Sequence, residues 1–194
     1  MRRAVFLDRD GTMVHESHYL SRLEDLKWFS FTADAIRLLN RAGFVVCVTT
    51  NQGGVGLGLY PEAFVHEVHR EMSAALERRG ARVDAWYYCP HHPKAVIEEL
   101  RRECECRKPQ PGMARQAAGE FDLDLSASFV VGDKAGDLGL AATIGARGIL
   151  VRTGYGEDLV RANNGQVTQA SFVAADLMEA TAWVLSQSGH PVPQ

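Results

Sequence analysis

The chain has 194 residues, 46% of them hydrophobic, and a formal net charge of −3, enough for one domain with a proper core. That charge leaves no electrostatic footprint for nucleic acid or an anionic membrane surface. No run approaches the roughly 20 apolar residues of a membrane span, and the few apolar residues after Arg3 are too short for a signal-peptide core, so a cytoplasmic, monomeric protein without nucleic-acid or membrane partners is expected.

In chain order, AVFLD (Ala4–Asp8) reads as a strand and TADAIRLLNRAG (Thr32–Gly43) as a helix capped by Thr32 and stopped by Gly43. FVVCVTT (Phe44–Thr50) is a continuous β-branched run, the pattern of a strand buried on both faces. Pro61–Gly80 is the clearest helix, with Phe64, Val65, Val68, Met72 and Leu76 in one stripe. His66 and His69 flank Val68 and are expected to face solvent. AWYYC (Ala85–Cys89) is a strand, Gly112–Phe121 a helix, Ser128–Asp133 a strand, Asp137–Gly145 a short helix and Arg147–Val151 a strand. Asp176–Gln187 closes the chain as a helix, and the tail His190–Gln194 is expected to fray. Alternating strands and helices predict an α/β fold with a parallel sheet, one domain over 1–190. Trp28, Trp86, Trp183 and Cys47 read as packing residues, and no strong case attaches to Arg152.

Ligands of such folds bind at the carboxyl ends of strands, and polar residues cluster there: Asp8 and Asp10; Thr50, Asn51 and Gln52; Asp133, Lys134 and Asp137. Carboxylates at close range repel. A hard divalent cation such as magnesium relieves that repulsion, with Asp133 completing a partial shell. The arrangement suits phosphoryl transfer: one aspartate attacks phosphorus and the other protonates the leaving oxygen, then deprotonates water. Asn51, Gln52, Arg107 and Lys134 are the expected substrate contacts.

A second constellation lies at Tyr87–Met113, where C-x-H is followed by twelve residues and then C-x-C. Cys89, His91, Cys104 and Cys106 supply the thiolates and imidazole of a tetrahedral zinc site, structural because four protein ligands leave no open position. Only spacing favours His91 over His92. Arg107 and Lys108 follow directly, so a zinc-pinned loop at 89–106 would aim Lys108 at a transferring phosphate and Arg107, with its bidentate fork, at a second anion.

D-x-D-G-T at the first strand, a threonine ending the second, a lysine, and G-D-x-x-x-D resemble the haloacid dehalogenase superfamily of phosphatases over essentially the whole chain. The resemblance implies a three-layer Rossmann-like fold without a large cap domain, Asp8 as nucleophile, Asp10 as general acid/base, and Thr50 and Lys108 on the phosphoryl group. It further implies Mg2+ held by the Asp8 and Asp133 carboxylates and the Asp10 carbonyl. Within the superfamily, C-P-H-H-P, C-x-C-R-K-P-x-P-G-M, N-Q, G-D-K-x-x-D and L-V-R-T-G-Y-G resemble the D-glycero-D-manno-heptose 1,7-bisphosphate 7-phosphatases. These act on a phosphosugar during nucleotide-heptose synthesis for lipopolysaccharide and surface glycans. Histidinol-phosphate phosphatases share the zinc ligands on a shorter loop and form one alternative. A zinc-stabilised module that binds a phospho-ligand without turnover is the other. The usual serine and arginine after N-Q are Gly53 and Leu57 here, which bears on the distal phosphate and the sugar.

Overall fold

The computed structural model describes residues 1–187; the expected fraying at His190–Gln194 lies outside them. Six parallel strands, β1 (Ala4–Leu7), β2 (Val45–Asn51), β3 (Ala85–Cys89), β4 (Phe129–Gly132), β5 (Arg147–Val151) and β6 (Phe172–Ala174), form one sheet in the order β3-β2-β1-β4-β5-β6. The helices are α1 (Thr32–Arg41), α2 (Glu62–Glu77), α3 (Gly112–Phe121), α4 (Ala135–Ile144), α5 (Gly156–Ala162) and α6 (Leu177–Gln187).

The period of two along each strand decides which helix goes where. Val5, Leu7, Val46, Val48, Phe129, Val131, Ile149 and Val151 face one side, where Ile36 and Leu39 of α1, Val68 and Met72 of α2, and Val184 of α6 cover them. Ala4, Phe6, Val45, Cys47 and Val130 face the other, under Met113 and Ala117 of α3 and Leu140 of α4. Both faces of the inner strands are therefore apolar, as the β-branched runs predict, and the result is the expected three-layer α/β architecture.

Three details differ from expectation. Helix α4 begins at Ala135, because the Asp137 carboxylate accepts the Lys134 backbone N–H at 3.0 Å and closes the first turn two residues earlier. Strand β6 has three residues and α5 seven, too short to show a period. His69 is 6% exposed, so it belongs to the buried stripe of α2 and not to its solvent face. The chain runs outward from β1 through β2 and β3, then resumes on the other side at β4. The strand order thus reverses between β1 and β4, where a crevice opens at the carboxyl ends.

Candidate functional site

Asp8 follows β1, Thr50 and Asn51 end β2, and Asp133 follows β4. Parallel pairing of these neighbours brings their ends together around a cleft of about 420 Å³, lined by Asp8, Asp10, Thr50, Arg107, Lys108 and Lys134, with Glu16, His18, Tyr19, His92 and Tyr155 also on its wall.

Lys108 is the buried cation at its floor, 7% exposed. Its Nζ donates to Asp8 Oδ1 at 2.9 Å, Asp137 Oδ1 at 2.5 Å and the Thr49 carbonyl at 2.6 Å. The Asn51 side-chain amide clamps the Lys108 peptide from both sides: its oxygen accepts Lys108 N–H at 3.0 Å and its nitrogen donates to Lys108 O at 3.2 Å. Asn51, expected at the substrate, thus has its amide engaged in holding the lysine. Burial alone would raise the Asp8 carboxyl, but Lys108 and Lys134 outweigh it and hold Asp8 below the ordinary carboxylate range. Burial likewise opposes the Lys108 charge, and Asp137 and Asp8 overcome it and raise that amine. Asp137 is thereby the principal anchor of Lys108, a role invisible in sequence although its place in G-D-x-x-x-D marks it.

Asp10 stands beside Asp8 on the turn after β1. Arg9 Nη2 approaches Asp10 Oδ2 at 2.9 Å, and Gln52 Nε2 donates to the same oxygen at 2.9 Å and to Thr50 Oγ1 at 2.8 Å. Gln52 Oε1 in turn accepts from Tyr60 Oη and Arg9 Nη2, each at 2.9 Å. Gln52, expected as a substrate contact, has its amide bonded to Asp10, and Arg9, which stands between two acids in the sequence, holds the same carboxylate.

Asp8, Asp133 and Asp137 each place a carboxylate oxygen within 4.8 Å of the others. Burial, then repulsion from Asp8, pushes Asp133 up to about 7. The close approach is built into the backbone: Gly11 lies at φ +86°, and a Cβ there would collide with the Asp133 carboxylate. Whether these oxygens can serve a cation is answered by Lys134, whose Nζ lies 3.1 Å from Asp133 Oδ1, 3.4 Å from Asp10 O and 3.7 Å from Asp8 Oδ2. The three oxygens expected around magnesium converge on one positive group, so the donor set fits a hard divalent ion. Lys134 also pairs with Glu16 at 2.9 Å.

The cysteine loop joins β3 to α3. Among its described residues the regular structure is a single 3₁₀ turn, Glu98–Leu100, and Val96 is 71% exposed. Cys89 Sγ lies 3.5 Å from Cys104 Sγ and from His91 Nδ1; Cys106 Sγ lies 3.4 Å from Cys104 Sγ and 3.2 Å from His91 Nδ1. These separations approach the edge of about 3.8 Å for a tetrahedron with zinc–sulfur bonds near 2.3 Å, so the four ligands fit a structural zinc ion. His92 stands outside the cluster and accepts Lys94 N–H at 3.1 Å. Arg107 Nη1 donates to the His91 carbonyl at 3.0 Å, tying the cluster to the cleft wall.

A HAD-hydrolase-like family model matches residues 105–180, which include Lys108, Asp133 and Asp137. The chain is 40% identical over 94% of its length to the D-glycero-D-manno-heptose-1,7-bisphosphate 7-phosphatase of Thermosynechococcus vestitus, covering 95% of that protein. It is 40% identical over 78% of its length to the D-glycero-beta-D-manno-heptose-1,7-bisphosphate 7-phosphatase of Escherichia coli K12, covering 80% of it. The crystal structure of D,D-heptose 1,7-bisphosphate phosphatase from B. bronchiseptica, complexed with magnesium and phosphate, superposes with a TM-score of 0.83 at 33% identity, covering 95% of this chain and 99% of that one. A buried and a half-buried acid after β1, a lysine anchored on a third acid and a cysteine loop beside them are thus carried by a chain whose kinship extends over its length, and it belongs to the D-glycero-D-manno-heptose-1,7-bisphosphate 7-phosphatase family of HAD-like hydrolases.

Proposed function

We propose that the chain, acting as one phosphatase domain over 1–190, hydrolyses the 7-phosphate of D-glycero-D-manno-heptose 1,7-bisphosphate through an aspartyl-phosphate on Asp8. The observation that carries this reading is a buried carboxylate, Asp8, held ionised by Lys108 and Lys134 on the floor of a cleft, with Asp10 fixed beside it. Asp8 Oδ attacks phosphorus, and the bond from phosphorus to the sugar oxygen breaks. Asp10 gives its proton to that oxygen, then takes one from the water that attacks the acyl-phosphate, which restores both aspartates. Lys108 and Thr50 hold the phosphoryl oxygens, and Arg107 on the cleft wall meets the second phosphate. Mg2+ held by the Asp8 and Asp133 carboxylates and the Asp10 carbonyl would neutralise phosphate charge. Zn2+ on Cys89, His91, Cys104 and Cys106 would fix the loop that carries Arg107 and Lys108.

The test is phosphate release with magnesium from heptose 1,7-bisphosphate and from histidinol phosphate in parallel. Preference for the former is expected; preference for histidinol phosphate would assign the alternative substrate. Absence of release from either, and from a generic phosphate ester, would leave a binding module.

A further inference from the structure

Arg9 is 2% exposed, an unusual place for a guanidinium. Its Nε faces Asp10 Oδ1 at 3.2 Å and Oδ2 at 3.1 Å, and Nη2 reaches Asp10 Oδ2 and Gln52 Oε1. The remaining nitrogen, Nη1, meets His69 Nε2 at 3.4 Å. Arginine has no acceptor, so His69 must accept there and carry its own proton on Nδ1. Burial, followed by the charge of Arg9 and the proximity of His66, pushes His69 down to about 3, so the ring is a neutral acceptor across the working pH range. Trp86 fixes the ring plane by stacking at 4.7 Å and 25°.

We propose that His69 is a positioning residue for the general acid/base: it locks the Arg9 fork, and the fork locks the Asp10 carboxyl toward the leaving oxygen. The inference rests on the acid/base role given to Asp10 above. In the first step Asp8 Oδ forms its bond to phosphorus as the bond to the leaving oxygen breaks. The bonding pair stays on that oxygen, and the Asp10 proton moves to it. A sugar alkoxide is a strong base and needs that proton in the transition state, whereas p-nitrophenolate departs without it. Misplacing Asp10 should therefore penalise one class of substrate and spare the other.

The experiment measures kcat/KM, which covers only the steps through leaving-group release, for heptose 1,7-bisphosphate and p-nitrophenyl phosphate. In Asp10→Asn the sugar phosphate should lose about 10²–10⁴-fold and the aryl ester far less. In His69→Phe the sugar phosphate should lose about 10-fold with the aryl ester within about 2-fold, and His69→Gln, which keeps a neutral acceptor, should recover most of the loss. Should the Phe variant not fold, His69→Met makes the same comparison with less demand on packing. Equal losses on both substrates, or none on either, in a folded variant overturn the proposal. If Asp10→Asn itself fails to discriminate, the acid/base assignment falls instead.

Discussion

The molecule holds two clusters of cation ligands, and they are built in opposite ways. The carboxylate cluster joins Asp8 after β1 to Asp133 and Asp137, distant in sequence at the β4–α4 junction, and the pairing of β1 with β4 brings them together. The cysteine cluster draws all four ligands from residues 89–106, a stretch whose described residues bury little apolar surface. The first is set by the sheet, carries its own counter-charges in Lys108 and Lys134, and can stand without an ion. The second has no comparable core, and a metal bound there would supply what packing does not. On the function proposed above, the first cluster would perform chemistry on a rigid frame while the second would supply a piece of frame, the piece that presents Arg107 and Lys108.

Disabling the first cluster alone gives the largest effect. Asp8→Asn removes the nucleophile and should lower kcat by roughly 10⁴-fold or more, while zinc content and the circular dichroism spectrum stay unchanged. Near-normal turnover would transfer the nucleophile's role elsewhere. Lys108→Met comes next, because it strips the counter-ion from two buried acids at once. It should cost about 3–5 kcal/mol in chemical denaturation in addition to most of the activity. A variant as stable as the parent would show that Asp8 and Asp137 do not depend on the lysine.

Disabling the second cluster should act at a distance. The parent is expected to carry one zinc by elemental analysis; Cys104→Ser with Cys106→Ser should abolish it and lower kcat/KM about 10–100-fold, by analogy with lost metal-site support. The sheet and its circular dichroism should survive. Full activity in a protein shown to lack zinc would break the link between loop order and lysine placement.

Much of this contrast is legible in the sequence, for a physical reason. The inner strands are apolar on both faces, so the polar residues at their ends, Asp8, Thr50 and Asp133, stand out beyond apolar runs that close at Leu7, Val48 and Val131. The cysteine cluster is legible because it is local. What stays hidden depends on long-range contact. Asn51 and Gln52 are expected as substrate contacts and do line the cleft, yet their amides are occupied by Lys108 and Asp10. Arg9 looks solvated between two acids and is buried against His69 from α2. His69 did carry a signal: with Val65, Val68, Met72 and Leu76 it falls on the same helical stripe.

The smallest expected effect is the response of the carboxylate cluster to protons in the absence of magnesium, set against that of the buried His69. Asp133 in the folded chain keeps its proton up to about 7, whereas an unfolded aspartate loses it near 4. Between those limits the native state binds the extra proton, and stability from this group falls as pH rises. His69 works the other way: folded at about 3 and near 6.5 when unfolded, it makes the unfolded state the better proton binder, and stability rises with pH. Between about pH 5 and 6.5 the two contributions oppose each other, each by up to about 1.4 kcal/mol per pH unit, so the parent protein should show a shallow slope. Asp133→Asn removes the falling contribution of Asp133 and should turn the slope more positive than that of the parent, measured as denaturation midpoints. His69→Gln should leave it falling. An Asp133→Asn slope equal to that of the parent would mean that Asp133 is already ionised in the fold, and that Lys134 alone balances the acids at the end of β4.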